Sequence, residues 1–143
     1  MTSPAISADA LISKFGDKLK ENIPLAPYTS ARIGGPSDFL ITADSSDELV
    51  RILNILWQEG FEYFLLGGGS NVLISDRGLR GLTVLNRAKA VHFEMGSQPT
   101  VWVESGVVIS NLAHRCASKG LAGLEWAATV PGTIGPSSLV HAG

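Results

Sequence analysis

A chain of 143 residues suits one domain, or two small ones sharing a core, and its 45% apolar content is enough to fill that core. The net charge of −2 makes no electrostatic case for nucleic acid or anionic lipid, and no apolar run approaches the ~18 residues of a membrane span. The single cysteine, Cys116, excludes an intrachain disulfide. With no signal-peptide pattern in Met-Thr-Ser-Pro-Ala, it predicts a reducing, cytoplasmic location. Charged residues make up only 17% against the usual ~25%, and there are 16 glycines. That balance suits loops that carry function, or a surface that something else covers.

Leu11, Ile12, Phe15 and Leu19 line one face of an N-terminal helix that starts near Ser7 or Asp9. A strand follows at 38–42. Leu49, Ile52, Leu53, Leu56 and Trp57 then recur at helical spacing, with Ser45 and Glu48 as a capping box and Gly60 as the stop. Strands are predicted at 62–66, 72–74, 82–85, 90–94 and 100–104. The first of these is apolar almost throughout, as a strand covered on both faces would be. Val101 and Val103 alternate with Trp102 beyond a turn at Gly96-Ser97, which predicts a hairpin to 90–94 and sets Glu94 near Glu104, unless both are merely solvated strand ends. Ile109, Leu112, Ala113, Cys116 and Ala117 form a last helix ending at Gly120, with Cys116 on its core face. The organisation expected is an N-terminal helix in 1–21, a βαβ unit over 22–85 and a second α+β unit over 86–143.

Between two apolar runs stands Leu65-Leu66-Gly67-Gly68-Gly69-Ser70-Asn71-Val72-Leu73. Three positions without side chains let a ligand approach the backbone, and converging N–H groups can hold an anion. The loop lacks the lysine of a Walker motif. Val72 stands where a Rossmann fingerprint or a nucleophile elbow needs glycine, so Ser70 is a poor nucleophile. A phosphate cradle and a plain flexible turn both remain open from the loop alone.

Two further stretches flank it. Tyr28-Thr29-Ser30-Ala31-Arg32-Ile33-Gly34-Gly35-Pro36 combines hydroxyls, one arginine and a glycine pair, fit either to wrap a polar ligand or to lead into the first strand with Arg32 solvated. Gly123-Leu124-Glu125-Trp126-Ala127-Ala128-Thr129-Val130-Pro131-Gly132-Thr133-Ile134-Gly135 again offers small residues against which a flat ligand can lie. Glu125 reads as a residue that hydrogen-bonds its own loop.

In order and spacing the three stretches resemble the signatures of the UDP-N-acetylenolpyruvoylglucosamine reductase family, over residues 22–143. Those flavoenzymes complete UDP-N-acetylmuramate for bacterial peptidoglycan. The resemblance implies an α+β FAD-binding domain of the vanillyl-alcohol-oxidase/p-cresol-methylhydroxylase type, built from two small α/β subdomains, the second incomplete here. It implies that Gly67, Gly68, Gly69, Ser70 and Asn71 hold the FAD pyrophosphate, flanked by Leu66, Val72 and Leu73. Pro131, Gly132, Thr133, Ile134 and Gly135 would run along the flavin, and Arg32, Ile33, Gly34 and Gly35 would lie near the cofactor. Members of the family take hydride from NADPH onto the flavin and pass it to the enolpyruvyl carbon of the UDP-sugar.

Family members are considerably longer. The serine proton donor, the catalytic arginine and glutamate and most of the UDP-sugar site belong to the region matching beyond Gly143, so the resemblance implies no catalytic residue here. It predicts a chain that holds FAD without completing the reaction, with exposed domain surface favouring self-association. Pro136 and His141 depart from the family pattern, at a second glycine and an asparagine, and put the flavin-ring contacts in question. His92, His114 and His141 lack companions at ligand spacing, so no metal site is expected. The rival readings are another flavin oxidoreductase of the same fold and a non-catalytic dinucleotide-binding module.

Overall fold

The computed structural model describes residues 7–135. Helix α1 (Ala8–Phe15) ends at Gly16, whose φ of 53° turns the chain into a short 3-10 turn. Strand β1 (Lys20–Pro24) follows and pairs antiparallel with β2 (Pro36–Ala43). Helix α2 (Ser46–Gln58) leads to β3 (Tyr63–Leu66), and a long connection leads to β4 (Leu79–Asn86). These strands form one sheet in the order β1-β2-β4-β3, with β4 parallel to both its neighbours.

Helix α2 begins where its sequence says it should. The Ser45 hydroxyl accepts the Glu48 N–H at 3.2 Å, and the Glu48 carboxylate reaches back to the Asp44 N–H at 2.9 Å. Lys18 donates to that same carboxylate and, with the Asp44 bond, holds it below its ordinary pKa. A cap of this kind contributes about 1 kcal/mol to the helix.

Two cores cover the central strands. Ile41, Ala43, Leu82 and Val84 face α1 and α2 and pack with Leu11, Leu49, Ile52 and Leu56. Their strand neighbours Leu40 and Leu85 point the other way, into Leu25, Leu66 and Ile74. The alternation of side chains along a strand is what sends them to opposite cores.

Several expectations need correction. Helix α1 ends at Phe15, so Leu19 lies beyond it, and Trp57 of α2 stands in solvent, off the apolar face. The 62–66 segment is an edge strand: Tyr63, Phe64 and Leu65 are exposed and only Leu66 is buried, because β4, not β3, occupies the centre of the sheet. Residues 72–74 form no strand. Ile74 is buried in the second core, and the backbone just beyond it is used in a turn, where Ser75 O accepts the N–H groups of Gly35 (2.9 Å) and Gly78 (2.8 Å). Glu94 and Glu104 do not face each other. Strands β5 (Val91–Glu94) and β6 (Thr100–Val103) pair with Val91 opposite Val103, which sets Glu94 opposite Thr100 and Glu104 beside Ala90. Strand β1 went unforeseen; it is largely exposed, and its place comes from pairing with β2, not from an apolar pattern of its own.

Helix α3 (Ile109–Ser118) packs Leu112 and Cys116 on the hairpin, so Cys116 is a core residue. Ile109 and Ala113 meet Ala127 of the 3-10 turn Glu125–Thr129. Among the described residues no helix is long and apolar enough to cross a membrane.

Candidate functional site

Strand register builds the site. Leu66 pairs with Leu85, so the next residues, Gly67 and Asn86, emerge side by side at the carboxyl ends of parallel strands. Ala43 of β2 pairs with Asn86 on its other side. Carboxyl ends of parallel strands are where α/β sheets collect ligands. A cavity of about 420 Å³ opens there, within the ~300–1,000 Å³ usual for small-molecule sites. Its walls are Pro27, Tyr28, Thr29, Ser30 and Arg32 on one side and Gly67 and Gly68 on another. Asn86, Arg87 and Lys89 follow β4, and Gly106, Val108 and Thr133 close the far side.

The glycine loop and the 28–35 loop are fitted together. Gly69 adopts φ 68°, and a Cβ there would fall 2.1 Å from Tyr28 O, a contact no side chain tolerates. Ser30 N donates to Gly69 O at 3.0 Å, and the Ser30 and Ser70 hydroxyls meet at 3.4 Å. Thr29 braces the loop from inside by donating to Ile33 O at 2.9 Å. Arg32 sits in the left-handed region at φ 57°, which costs on the order of 1–2 kcal/mol for a residue with a Cβ. The bonds around Thr29, including Arg32 N to Thr29 O at 3.2 Å, hold it there beside the cavity.

Opposite, the 132–135 segment runs along the chain leading into α3. Ile109 N donates to Gly132 O at 3.1 Å, Ile134 N to Val107 O at 2.9 Å and Gly135 N to Ser105 O at 3.0 Å. This zipper buries Thr133 to 2% exposure and brings its methyl within 3.1 Å of where a Cβ on Gly68 would lie. Among the described residues, the Thr133 hydroxyl is buried with no hydrogen-bond partner. Leaving such a group unsatisfied costs about 1–3 kcal/mol, a cost that a polar ligand in the cavity would remove.

The strap after β4 is tied at Arg87, Ala88 and Ala90. Arg87 N donates to Ala43 O at 2.7 Å, and Ala88 N to the Asn86 side-chain oxygen at 3.1 Å. Gly106 N donates to Ala88 O at 2.9 Å. The buried Glu104 carboxylate accepts Ala90 N and Ser46 N, each at 2.7 Å, so it joins the strap to the first turn of α2. Those N–H groups, Ala90 first, hold the Glu104 carboxyl below the usual carboxylate range. Arg87 lies over the Tyr28 ring, 5.6 Å from its centroid. Among the described residues, Arg32, Arg87 and Lys89 thus line the cavity and no carboxylate does.

Of the residues singled out in the sequence, Arg32, Gly67, Gly68 and Thr133 line the cavity. Gly69 and Ser70 form the joint just described. Gly34 and Gly35 stand one layer back, where a Cβ on Gly35 would fall 2.1 Å from Asp76 O. Leu66 is buried in the second core with Val72 against it, whereas Ile33, Asn71, Leu73 and Pro131 are exposed. Gly132, Ile134 and Gly135 belong to the zipper. Pro136 and His141 lie outside the described residues. Glu125 accepts the Gly123 N–H at 2.8 Å, the loop-bracing role its position suggested. The sequence reading missed Asn86, Arg87, Lys89, Gly106 and Val108. Two cations within three residues directly after an apolar strand were the available signal.

A family model described as "FAD binding domain" matches residues 37–141. The chain is 38% identical over 135 residues to the UDP-N-acetylenolpyruvoylglucosamine reductase of Rubrobacter xylanophilus, covering 94% of this chain and 45% of that protein. It is 34% identical over 143 residues to the enzyme of that name from a Synechococcus strain, covering 99% of this chain and 45% of that protein. The chain therefore spans less than half the length of these relatives. Among solved structures, the UDP-N-acetylenolpyruvylglucosamine reductase of Thermus caldophilus aligns at TM-score 0.58 and 27% identity, over 79% of this chain and 38% of that one. An alkyldihydroxyacetonephosphate synthase aligns at TM-score 0.57 and 18% identity, over 84% of this chain and 26% of that one, which shows a shared fold. The α+β architecture is that of the vanillyl-alcohol-oxidase-type FAD-binding fold, and the chain belongs to the family of FAD binding domains.

Proposed function

We propose that this chain is the FAD-binding part of a reductase that converts UDP-N-acetylglucosamine enolpyruvate to UDP-N-acetylmuramate with NADPH. The observation that carries the reading is a cation-lined cavity walled by Gly67, Gly68 and Thr133, whose hydroxyl is buried with no partner among the described residues. The residues present fit the cofactor. Gly68 lacks the side chain that would obstruct a diphosphate, Thr133 offers a hydroxyl, and Arg32 offers a fixed positive charge. When bound, FAD supplies the carrier between NADPH and the enolpyruvyl carbon. This chain's own residues hold and orient it: the 28–35 loop from one side, the glycine loop beneath, and the 132–135 segment opposite.

The similarity to reductases at 34–38% identity over nearly the whole chain supports this substrate assignment. NADPH and the UDP-sugar are partners of the longer protein, and the chain by itself binds FAD without turnover. The family model, which specifies FAD binding and no substrate, supports a second reading, another flavin oxidoreductase of the same fold. The buried, reduced Cys116 is consistent with a cytoplasmic setting. Exposed Trp57, Tyr63, Phe64 and Leu65 support self-association of the isolated chain.

Titration of the purified chain with FAD, followed by flavin fluorescence and visible absorbance, tests the cofactor assignment. Saturable binding is expected, and its absence removes the assignment. In a longer protein that includes this chain, NADPH oxidation dependent on UDP-N-acetylglucosamine enolpyruvate separates the two readings. NADPH oxidation that ignores that substrate favours the second.

A further inference from the structure

We propose that Arg87 and Lys89, on the strap that follows β4, supply the countercharge for the diphosphate of the bound dinucleotide. The inference rests on the cofactor reading above and assigns to it residues outside the glycine signatures. A diphosphate diester carries two negative charges at neutral pH. The Gly67–Asn71 loop contributes only dipoles, because it contains no lysine or arginine. The charge must come from elsewhere on the cavity wall, and the wall contains Arg32, Arg87 and Lys89 as its ionised groups.

The strap is arranged to present them. In extended chain, residues i and i+2 share a side. Ala88 is fully buried between the two cations, while both of them line the cavity. The Arg87 N–H is spent on Ala43 O, and its guanidinium rests on the Tyr28 ring, so its place is set before any ligand arrives. Among the described residues the ion pairs are Lys14–Glu59, Lys18–Glu48 and Arg80–Asp38; neither strap cation takes part in one. The register Leu66↔Leu85 keeps the strap beside Gly67. The two strap cations, the Gly67–Gly68 backbone and Thr133 therefore line one volume. An anion gains more there than in water, because a partly enclosed cavity screens less.

The test compares the whole chain with Arg87→Gln, Lys89→Gln and Lys89→Arg, using FAD and inorganic pyrophosphate as separate probes. Far-UV circular dichroism checks the fold, and exposed Lys89 provides a variant whose packing is not at issue. Arg87→Gln is expected to weaken FAD about tenfold and Lys89→Gln several-fold, with Lys89→Arg close to the unsubstituted chain. Added salt should weaken FAD less steeply in the glutamine variants. Pyrophosphate should stabilise the chain thermally and lose that effect in the same variants. FAD affinities within twofold of the unsubstituted chain in both glutamine variants overturn the strap assignment and leave the cofactor reading intact. Pyrophosphate binding that depends on the strap, without any FAD binding, keeps the strap as an anion site and overturns the cofactor reading. Failure of both probes on the unsubstituted chain overturns both.

Discussion

Strands β3 and β4 lie side by side, run in the same direction and read almost alike as short apolar runs, yet their fates differ. Leu82, Val84 and Leu85 of β4 are buried on both faces of the sheet. Tyr63, Phe64 and Leu65 of β3 stand on its edge in solvent, and only Leu66 enters a core. Their exits differ as well. β3 leaves into a glycine joint that admits no side chain at Gly69, while β4 leaves into a strap held by side-chain and backbone bonds. Sheet position is decided by pairing partners, so apolarity says that a strand exists and not where it stands.

The largest effect expected tests the burial contrast. Leu85→Ala should cost about 2–5 kcal/mol, and Leu65→Ala under about 1 kcal/mol, by urea denaturation. Equal losses would mean that β3 is covered in solution, by self-association or by a further part of the protein. The next probes the exits. Gly68→Val should lower FAD affinity by about 100-fold, a change of ~2.7 kcal/mol, since its Cβ lands 3.1 Å from the Thr133 methyl at the cavity wall. Stability should change far less, as Gly68 is exposed and has no left-handed φ. An unaltered affinity would transfer the phosphate site away from the β3 exit.

Glu104→Gln probes the β4 exit. It should cost about 1–3 kcal/mol at pH 7, because a charged acceptor of two N–H groups becomes a neutral amide. Glu104 has a lowered pKa in the folded chain, so its ionised form is stabilising above the unfolded value near ~4.3, and that stability is lost as pH falls through the lowered folded value. Urea midpoints measured from pH 6 to pH 3 should therefore fall less steeply in the variant. An unchanged acid limb would show that the strap is secured without this carboxylate. The smallest effect concerns the hydroxyl between the exits. Thr133→Val should leave the ligand-free chain as stable or up to about 1 kcal/mol more stable, while FAD affinity drops several-fold. Lower stability without FAD would mean that the hydroxyl already has a partner.

Much of this was readable from local signals. Helix α2 announced itself through period and a Ser45–Glu48 cap, and the β5–β6 hairpin through alternation around Gly96-Ser97. Strand β1 was invisible because Lys20-Glu21-Asn22-Ile23-Pro24 has no apolar face; it exists by pairing with β2. Val72-Leu73-Ile74 looked like a strand, but only Ile74 is buried there, Leu73 is exposed, and the next backbone carbonyl serves a turn. At the site, three successive glycines have few explanations and stood out. Arg87 and Lys89 are ordinary surface residues in sequence. Their nearness to Gly67 follows from the pairing of Leu66 with Leu85, which no local pattern encodes.

Glu104 ties the N-terminus of a helix on the large sheet to the start of the small hairpin through one buried carboxylate. Lys89 and Gly106 on the cavity wall adjoin the tied Ala90 and Glu104 region, and a ligand arriving there meets a rim already in shape. Binding should then cost little conformational entropy, and the cofactor should leave amide hydrogen exchange at Ala90 nearly as slow as it was before.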